Sequence, residues 1–197
     1  MNIRYQDLSL TLKKTKNILI SPHQYWLELA NIEEQKKDLY IHYALPLIGM
    51  CSLFVFVGTL VNFQNITHAF TQMISTFISL TAGIYLSTLI IKLMAPSFQA
   101  SSNENRNFML VIYSTSIFCI FHSIANTFSY FSFYRQLFIL FELYFVRLLW
   151  LGATPILHIP EKKKAGFTLI SGLIILSIPM ILEKLLSYIL QIPIISI

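Results

Sequence analysis

Four ionisable residues stand inside long apolar runs of this 197-residue chain: Glu142, Arg147, Glu183 and Lys184. A charge in hydrocarbon is costly and persists only with a partner. Such groups mark either a proton or ion path, or a buried ion pair that fixes helix register. If the runs that carry them form a hairpin about residues 158–165, positions equally far from the turn share a depth. Glu142 is then expected to meet Lys184, with Arg147 and Glu183 offset by about one helical turn, close enough to join them. Glu142 and Arg147 are five residues apart, so they point about 140° away from each other on one helix. One reading is a relay across the outer half of a membrane. The other is a register-fixing ion-pair group with its ends snorkelling outward. Glu183 and Lys184 lie near the end of their run, which favours the second.

A second set is Thr115, Cys119, His122 and Asn126, spaced by four, three and four residues. That spacing puts four polar groups on one helix face. A histidine there can serve as a ligand or catalyst, but polar residues between membrane helices ordinarily hydrogen-bond across the interface. His42, His68 and His158 sit near the ends of apolar runs, away from His122, so no metal site is expected. A third set is Ser75, Ser79, Gly83 and Ser87, small residues at every fourth position. Such a ridge lets a second helix approach closely, from the same chain or from a second copy, and a compact bundle needs the first. Cys51 and Cys119 both fall in apolar runs with no ligand-like spacing and are expected to be free, buried thiols.

No GxxxxGK[ST], HExxH, CxxC or GxSxG pattern occurs, so no catalytic residue, cofactor or metal is expected and the chain is read as non-enzymatic. Glu33 and Glu34 are adjacent but have no histidine at a ligand spacing. Asn65, Ile66 and Thr67 match the glycosylation acceptor pattern beside an apolar run, a match frequent by chance.

The elements that must position these groups follow from composition. Apolar residues make up 55% of the chain and charged residues only 12%, about half the usual share. Mean hydropathy is +0.65. The 16 Phe and 10 Tyr demand burial and exclude a disordered chain. A helix needs about 20 apolar residues to cross a bilayer. The 53 residues from 39 to 91 contain no Lys, Arg, Asp or Glu, enough for two spans with a turn at 62–68. Five spans are expected: 43–61, 72–94, 108–129, 136–157 and 166–190, with an apolar tail at 191–197 lying at the interface. The expected fold is therefore all-α, a polytopic bundle of five transmembrane helices behind an amino-terminal segment of residues 1–40.

The net charge of +5 reports orientation rather than a nucleic-acid partner. Eleven basic residues fall on the side shared by the amino terminus and the alternate loops, and Arg135 alone on the other. That places the amino terminus in the cytoplasm and the carboxyl terminus outside. No secretory signal is visible, since the first apolar cluster, 18–20, is too short for one. Within the amino-terminal segment, Ser21 and Pro22 offer an N-cap and a first helical residue, and Gln24 completes a capping-box spacing. A helix is expected over about 22–37, with Tyr25, Trp26, Leu29 and Ile32 on its apolar side. It lies in the headgroup layer or packs on the ends of the spans. Leu8, Leu10 and Leu12 alternate like a strand or belong to a short amphipathic helix.

The order of Ser21 and Pro22, Trp26, then Tyr40 to Leu45 and Pro46 before the first span resembles the Yip (Ypt-interacting protein) domain family. So do Leu143 and Tyr144, Leu149-Trp150-Leu151-Gly152, and Pro160-Glu161-Lys162 before the fifth span. The layout agrees over nearly the whole chain. The resemblance implies a non-enzymatic membrane protein whose eukaryotic relatives associate with prenylated small GTPases and shape or sort membranes. Asp38-Leu39-Tyr40 is followed by Ile41 and His42 rather than Gly-Pro, and Tyr113-Ser114 is not followed by proline. The chain looks like the shorter prokaryotic branch, so GTPase binding is not carried over and a bacterial plasma membrane is the expected location. The expected role is a scaffold or interaction protein whose partners are the bilayer and a membrane protein or a second copy. The alternative is a small transporter or channel using the polar groups of spans three to five.

Overall fold

The computed structural model describes residues 5–101, 103–128 and 131–190. Among these residues all regular structure is helical. Five helices are long and apolar enough to cross a membrane: Lys36–Phe63, Ile66–Phe98, Glu104–Thr127, Ser132–Leu157 and Glu161–Ile189. The tail at 191–197 lies outside the described residues.

Two amino-terminal helices precede the bundle, α1 (Tyr5–Ile20) and α2 (Pro22–Ala30). The alternation of leucines near residue 10 thus belongs to a helix. Pro22 stands in the first turn of α2, but Ser21 makes no side-chain cap, so the capping box does not form. The helix expected to reach Lys37 ends at Ala30, and a new one, α3 (Lys36–Leu39), starts after a non-helical stretch. Two local features end α2. The Asn31 side chain turns back to donate to Leu27 O at 3.0 Å, a bond that competes with continued helix. Glu34 is held by Lys14 of α1 and by the Tyr113 hydroxyl, at 3.2 Å, partners that pull the chain back toward the bundle.

α3 passes through a π-turn at Tyr40–Ala44 into α4 (Leu45–Phe63). Pro46 has no N–H to offer the carbonyl one turn earlier, that of His42. The Thr11 hydroxyl of α1 donates to that carbonyl at 3.1 Å, which ties α1 to the start of the first span. α4 and α5 (Ile66–Met94) are joined by Gln64, at φ 52°, and Asn65, whose side chain accepts from His68 N at 3.0 Å. The turn is therefore shorter than the polar composition of 62–68 suggests, and α5 begins six residues before 72. A 3-10 turn at Ala95–Phe98 ends α5.

α6 (Glu104–Thr127) is the axis of the bundle. Its apolar window is 78% buried, against 33% for the fourth and fifth spans. It packs on α4, α5, α7 (Ser132–Glu142) and α8 (Tyr144–Leu157), while α9 (Glu161–Ile189) packs on α5 and α8. The outward faces of α4, α5 and α9 expose Leu53, Val57, Phe77, Leu169 and Leu173, as lipid contact requires.

The fourth span is expected as one helix and is instead broken at Leu143. Leu143 N–H bonds Leu140 O at 3.2 Å, and Val146 N–H bonds Leu143 O at 3.1 Å. These are i→i−3 bonds, a tighter turn than the α-helix. No proline or glycine sits there. Glu142, the last residue of α7, turns into the protein at this step.

Gly83 of the small-residue ridge meets α9 of the same chain. Ser75, Ser79 and Ser87 are buried, and a Cβ on Gly83 would lie 2.6 Å from Pro179 Cγ and 3.2 Å from Pro179 Cα. Neither a proline ring nor its backbone can swing aside. Gly83→Val is expected to cost about 1–3 kcal/mol through overpacking. Ser75→Ala, which removes a hydroxyl with no hydrogen-bond partner among the described residues, should stay within about 0.5 kcal/mol. Thermal unfolding in detergent reads both, and equal losses would place the ridge elsewhere than against α9.

Candidate functional site

Three ionisable side chains from three elements, Glu142 buried and His122 and Glu183 part-buried, meet one to two turns inside one end of the bundle. His122 comes from α6, Glu142 from the end of α7 and Glu183 from α9. The imidazole lies between the two carboxylates. Its Nε2 is 2.9 Å from Glu183 Oε2, and its Nδ1 is 3.4 Å from Glu142 Oε1. The first contact is a hydrogen bond; the second is an ion-pair contact only, and Glu142 Oε1 is buried with no hydrogen-bond partner among the described residues. Amides surround Glu183: Asn126 Nδ2 and Gln72 Nε2 each donate to its Oε1 at 3.4 Å. Phe118, one turn before His122, stacks on the ring at 5.2 Å and 17°. Arg135 of α7 lies near enough to Glu183 to act on it electrostatically.

The local reasons are simple. Asn126 and His122 are four apart and share a face of α6, so the amide and the ring reach the same carboxylate. Gln72 stands three residues before Ser75, at the end of the small-residue ridge that brings α5 against α9. Close α5–α9 packing therefore places Gln72 beside Glu183.

The expected pairing of Glu142 with Lys184 is not what the structure shows. His122 of the central helix takes Glu142, and Lys184 is exposed, one residue beyond Glu183 and so about 100° around α9. Arg147 is also exposed, its guanidinium 5.5 Å from the Tyr144 ring centroid. Of the polar stripe, His122 and Asn126 join the cluster. Thr115 bonds back to Val111 O at 2.8 Å, and Cys119 is a buried free thiol, as is Cys51. Gln72 and Arg135 carry no signal in the sequence that sets them apart from other polar residues near span ends. The ring contact to Glu142 crosses the hairpin of the third and fourth spans, whereas depth about residues 158–165 compares only the fourth and fifth.

At the other end, α2 is fastened to the bundle by aromatic groups. Trp26 is fully buried and edge-on to Tyr113 at 6.1 Å; Tyr43 lies 4.8 Å from Tyr113 and shares a 3.1 Å hydrogen bond with Thr15. A Cβ on Gly152 would meet Trp26 Cε2 at 2.7 Å, so glycine makes room for the indole. Of the two placements open to α2, the structure has it packed on α8. Around this end Glu104 pairs with Lys36 at 2.6 Å and Lys92 at 2.8 Å.

Tyr25 of α2 is pushed up to about 12 by burial, with the nearby Glu34 and Glu28 carboxylates adding to the effect and Tyr113 opposing it. An unfolded phenol titrates near 10. The fold favours the neutral phenol, so this stabilisation is complete below about pH 10 and is lost as pH rises toward 12. The midpoint of thermal unfolding should fall across that interval, and Tyr25→Phe should flatten the fall; an unchanged slope would count against it.

No curated protein and no solved structure matches the chain. The Yip1 domain family model matches residues 16–182, from the last turns of α1 almost to Glu183 of α9. With that match covering nearly the whole bundle, the chain belongs to the Yip1 domain family.

Proposed function

We propose that this Yip1 domain protein is a non-enzymatic scaffold or interaction protein of a bacterial plasma membrane, with its amino terminus in the cytoplasm. One observation carries the reading. The α1–α2 layer is locked to the bundle by the buried Trp26 and Leu29, yet it holds Leu12, Ile20 and Leu27 exposed at 58%, 68% and 49%. Apolar groups held outward on a rigid layer, beside Lys13 and Lys16, suit contact with a partner protein at the membrane surface. The orientation follows from the basic residues that flank this end.

The test is purification in mild detergent with quantitative mass spectrometry of co-purifying proteins, using wild type, Leu12→Glu/Leu27→Glu and Glu142→Gln. A stoichiometric partner should follow wild type and Glu142→Gln and fall about tenfold or more with the double substitution. Recovery that ignores the α1–α2 surface would reject the reading.

The break at Leu143 beside the buried Glu142 favours one second reading, a small transporter, since interrupted helices with buried polar groups recur at transport sites. Proteoliposome flux abolished by Glu142→Gln and Glu183→Gln in a folded protein would replace the scaffold reading with it.

A further inference from the structure

His122 faces a carboxylate oxygen on each edge, at 2.9 Å from Nε2 and 3.4 Å from Nδ1. A neutral imidazole has one N–H donor and one lone pair, and an ionised carboxylate only accepts. With a neutral ring and two ionised carboxylates, one ring lone pair would confront a carboxylate lone pair; among the described residues no other donor is near Nδ1, and at Nε2 only the Asn126 Nδ2, 3.2 Å away, lies beside it. The trio would also carry two negative charges inside the span, an expensive state in hydrocarbon. A single added proton relieves both. It gives the ring a donor on each edge and leaves one net negative charge in place of two.

Glu142 supplies an independent observation. Its side chain is 5% exposed and reaches Nδ1, yet its Oε1 has no hydrogen-bond partner among the described residues. It is the last residue before the 3-10 step at Leu143. A small change at that joint would close or open the distance between Oε1 and Nδ1. On the opposite edge Glu183 is held more firmly, with Asn126 and Gln72 on its other oxygen. The site thus has one fixed and one loose carboxylate.

We propose that His122, Glu142 and Glu183 form a buried site for one exchangeable proton, passed between the ring and Glu142. In the transfer the Nδ1–H bond breaks and its electron pair stays on Nδ1. An O–H bond forms on Glu142 Oε1. Ring and carboxylate both become neutral, and Nε2–H continues to donate to Glu183. The groups facing the ring are Phe118 and Asn126 from α6, Glu142 from α7 and Glu183 from α9; Gln72 of α5 and Arg135 of α7 act on Glu183, and Lys184 and Arg147 are exposed and take no part. The two carboxylates occupy opposite edges of the ring, so they cannot converge with it on one metal ion, and no three such ligands converge among the described residues. The inference depends on neither the scaffold nor the transporter reading, because a resident proton suits both.

The experiment is nitrogen NMR of the full chain in lipid nanodiscs, with labelled histidine and His23, His42, His68 and His158 replaced by Asn. His122 is then the only label, and the cluster is intact. Infrared difference spectra of the same sample report a protonated carboxyl. Between about pH 5 and 8, where histidine ordinarily changes charge, the trio should hold one proton beyond the single N–H of a neutral ring. It is read as a ring protonated on both nitrogens, or as a singly protonated ring together with a carboxylic acid band that Glu142→Gln removes. That proton should exchange with deuterated water while the fold persists. Glu142→Gln should leave a ring protonated at one nitrogen, a loss of the Nδ1–H signal. A singly protonated ring with both carboxylates ionised in the otherwise wild-type cluster would overturn the proposal. So would a proton that never exchanges.

Discussion

His122→Ala is expected to destabilise the protein by about 3–5 kcal/mol, the cost of breaking a buried ion pair by removing one partner. The reason is what remains. Glu183 would lose its 2.9 Å bond to Nε2, and Glu142, whose Oε1 has no hydrogen bond among the described residues, would lose its ion-pair contact with Nδ1. Two buried carboxylates would then share a pocket with the partial help of Asn126 and Gln72. A combined His122→Ala/Glu142→Gln/Glu183→Gln protein should recover much of the loss, because amides carry no charge into the hydrocarbon. Thermal or SDS unfolding in matched detergent measures both. If the triple substitution is no more stable than His122→Ala, the cost lies in the lost ring packing on Phe118 and not in the charges.

Trp26→Ala is expected to have an effect of the same size, about 3–5 kcal/mol, for a different reason: a fully buried indole leaves a cavity that backbone cannot fill. The indole sits against Gly152, and its edge meets Tyr113. Its removal also frees the layer it anchors. Hydrogen exchange should therefore quicken in α1 and α2 while α6 keeps its protection, as local opening predicts. Trp26→Phe should retain part of both. Uniform loss of protection through α6 would mean that α2 is part of the bundle core and not a layer fastened to it. Because the scaffold reading depends on the α1–α2 surface, Trp26→Ala should also weaken partner recovery.

The polar groups divide by how far the sequence reaches. Glu142 and Glu183 announce themselves, because any carboxylate in an apolar run must find a partner. Which partner is a different matter. Depth along a hairpin pairs Glu142 with Lys184, and that arithmetic accounts for only one coordinate of three. Rotation about each helix turns Lys184 outward, and α6, not the neighbouring hairpin helix, stands between α7 and α9. His122 and Asn126 were visible as a face of α6, but a stripe does not say which helix it meets. In the amino-terminal segment Pro22 and Trp26 were legible as a helix start and an apolar anchor. The stop at Ala30 was not, because it depends on Glu34 finding Lys14 and Tyr113.

By itself the sequence determined that this chain is an all-helical membrane protein with five spans and a Yip-like layout. Bilayer thickness and the need for every backbone group to be satisfied within its own helix leave almost no other solution for such apolar runs. Only the tertiary structure decided that His122 joins Glu142 to Glu183, that the fourth span breaks at Leu143, and that Trp26 holds α2 on the bundle. Each of these depends on how helices are turned and ordered about α6, which is set by side-chain packing between segments far apart in the chain.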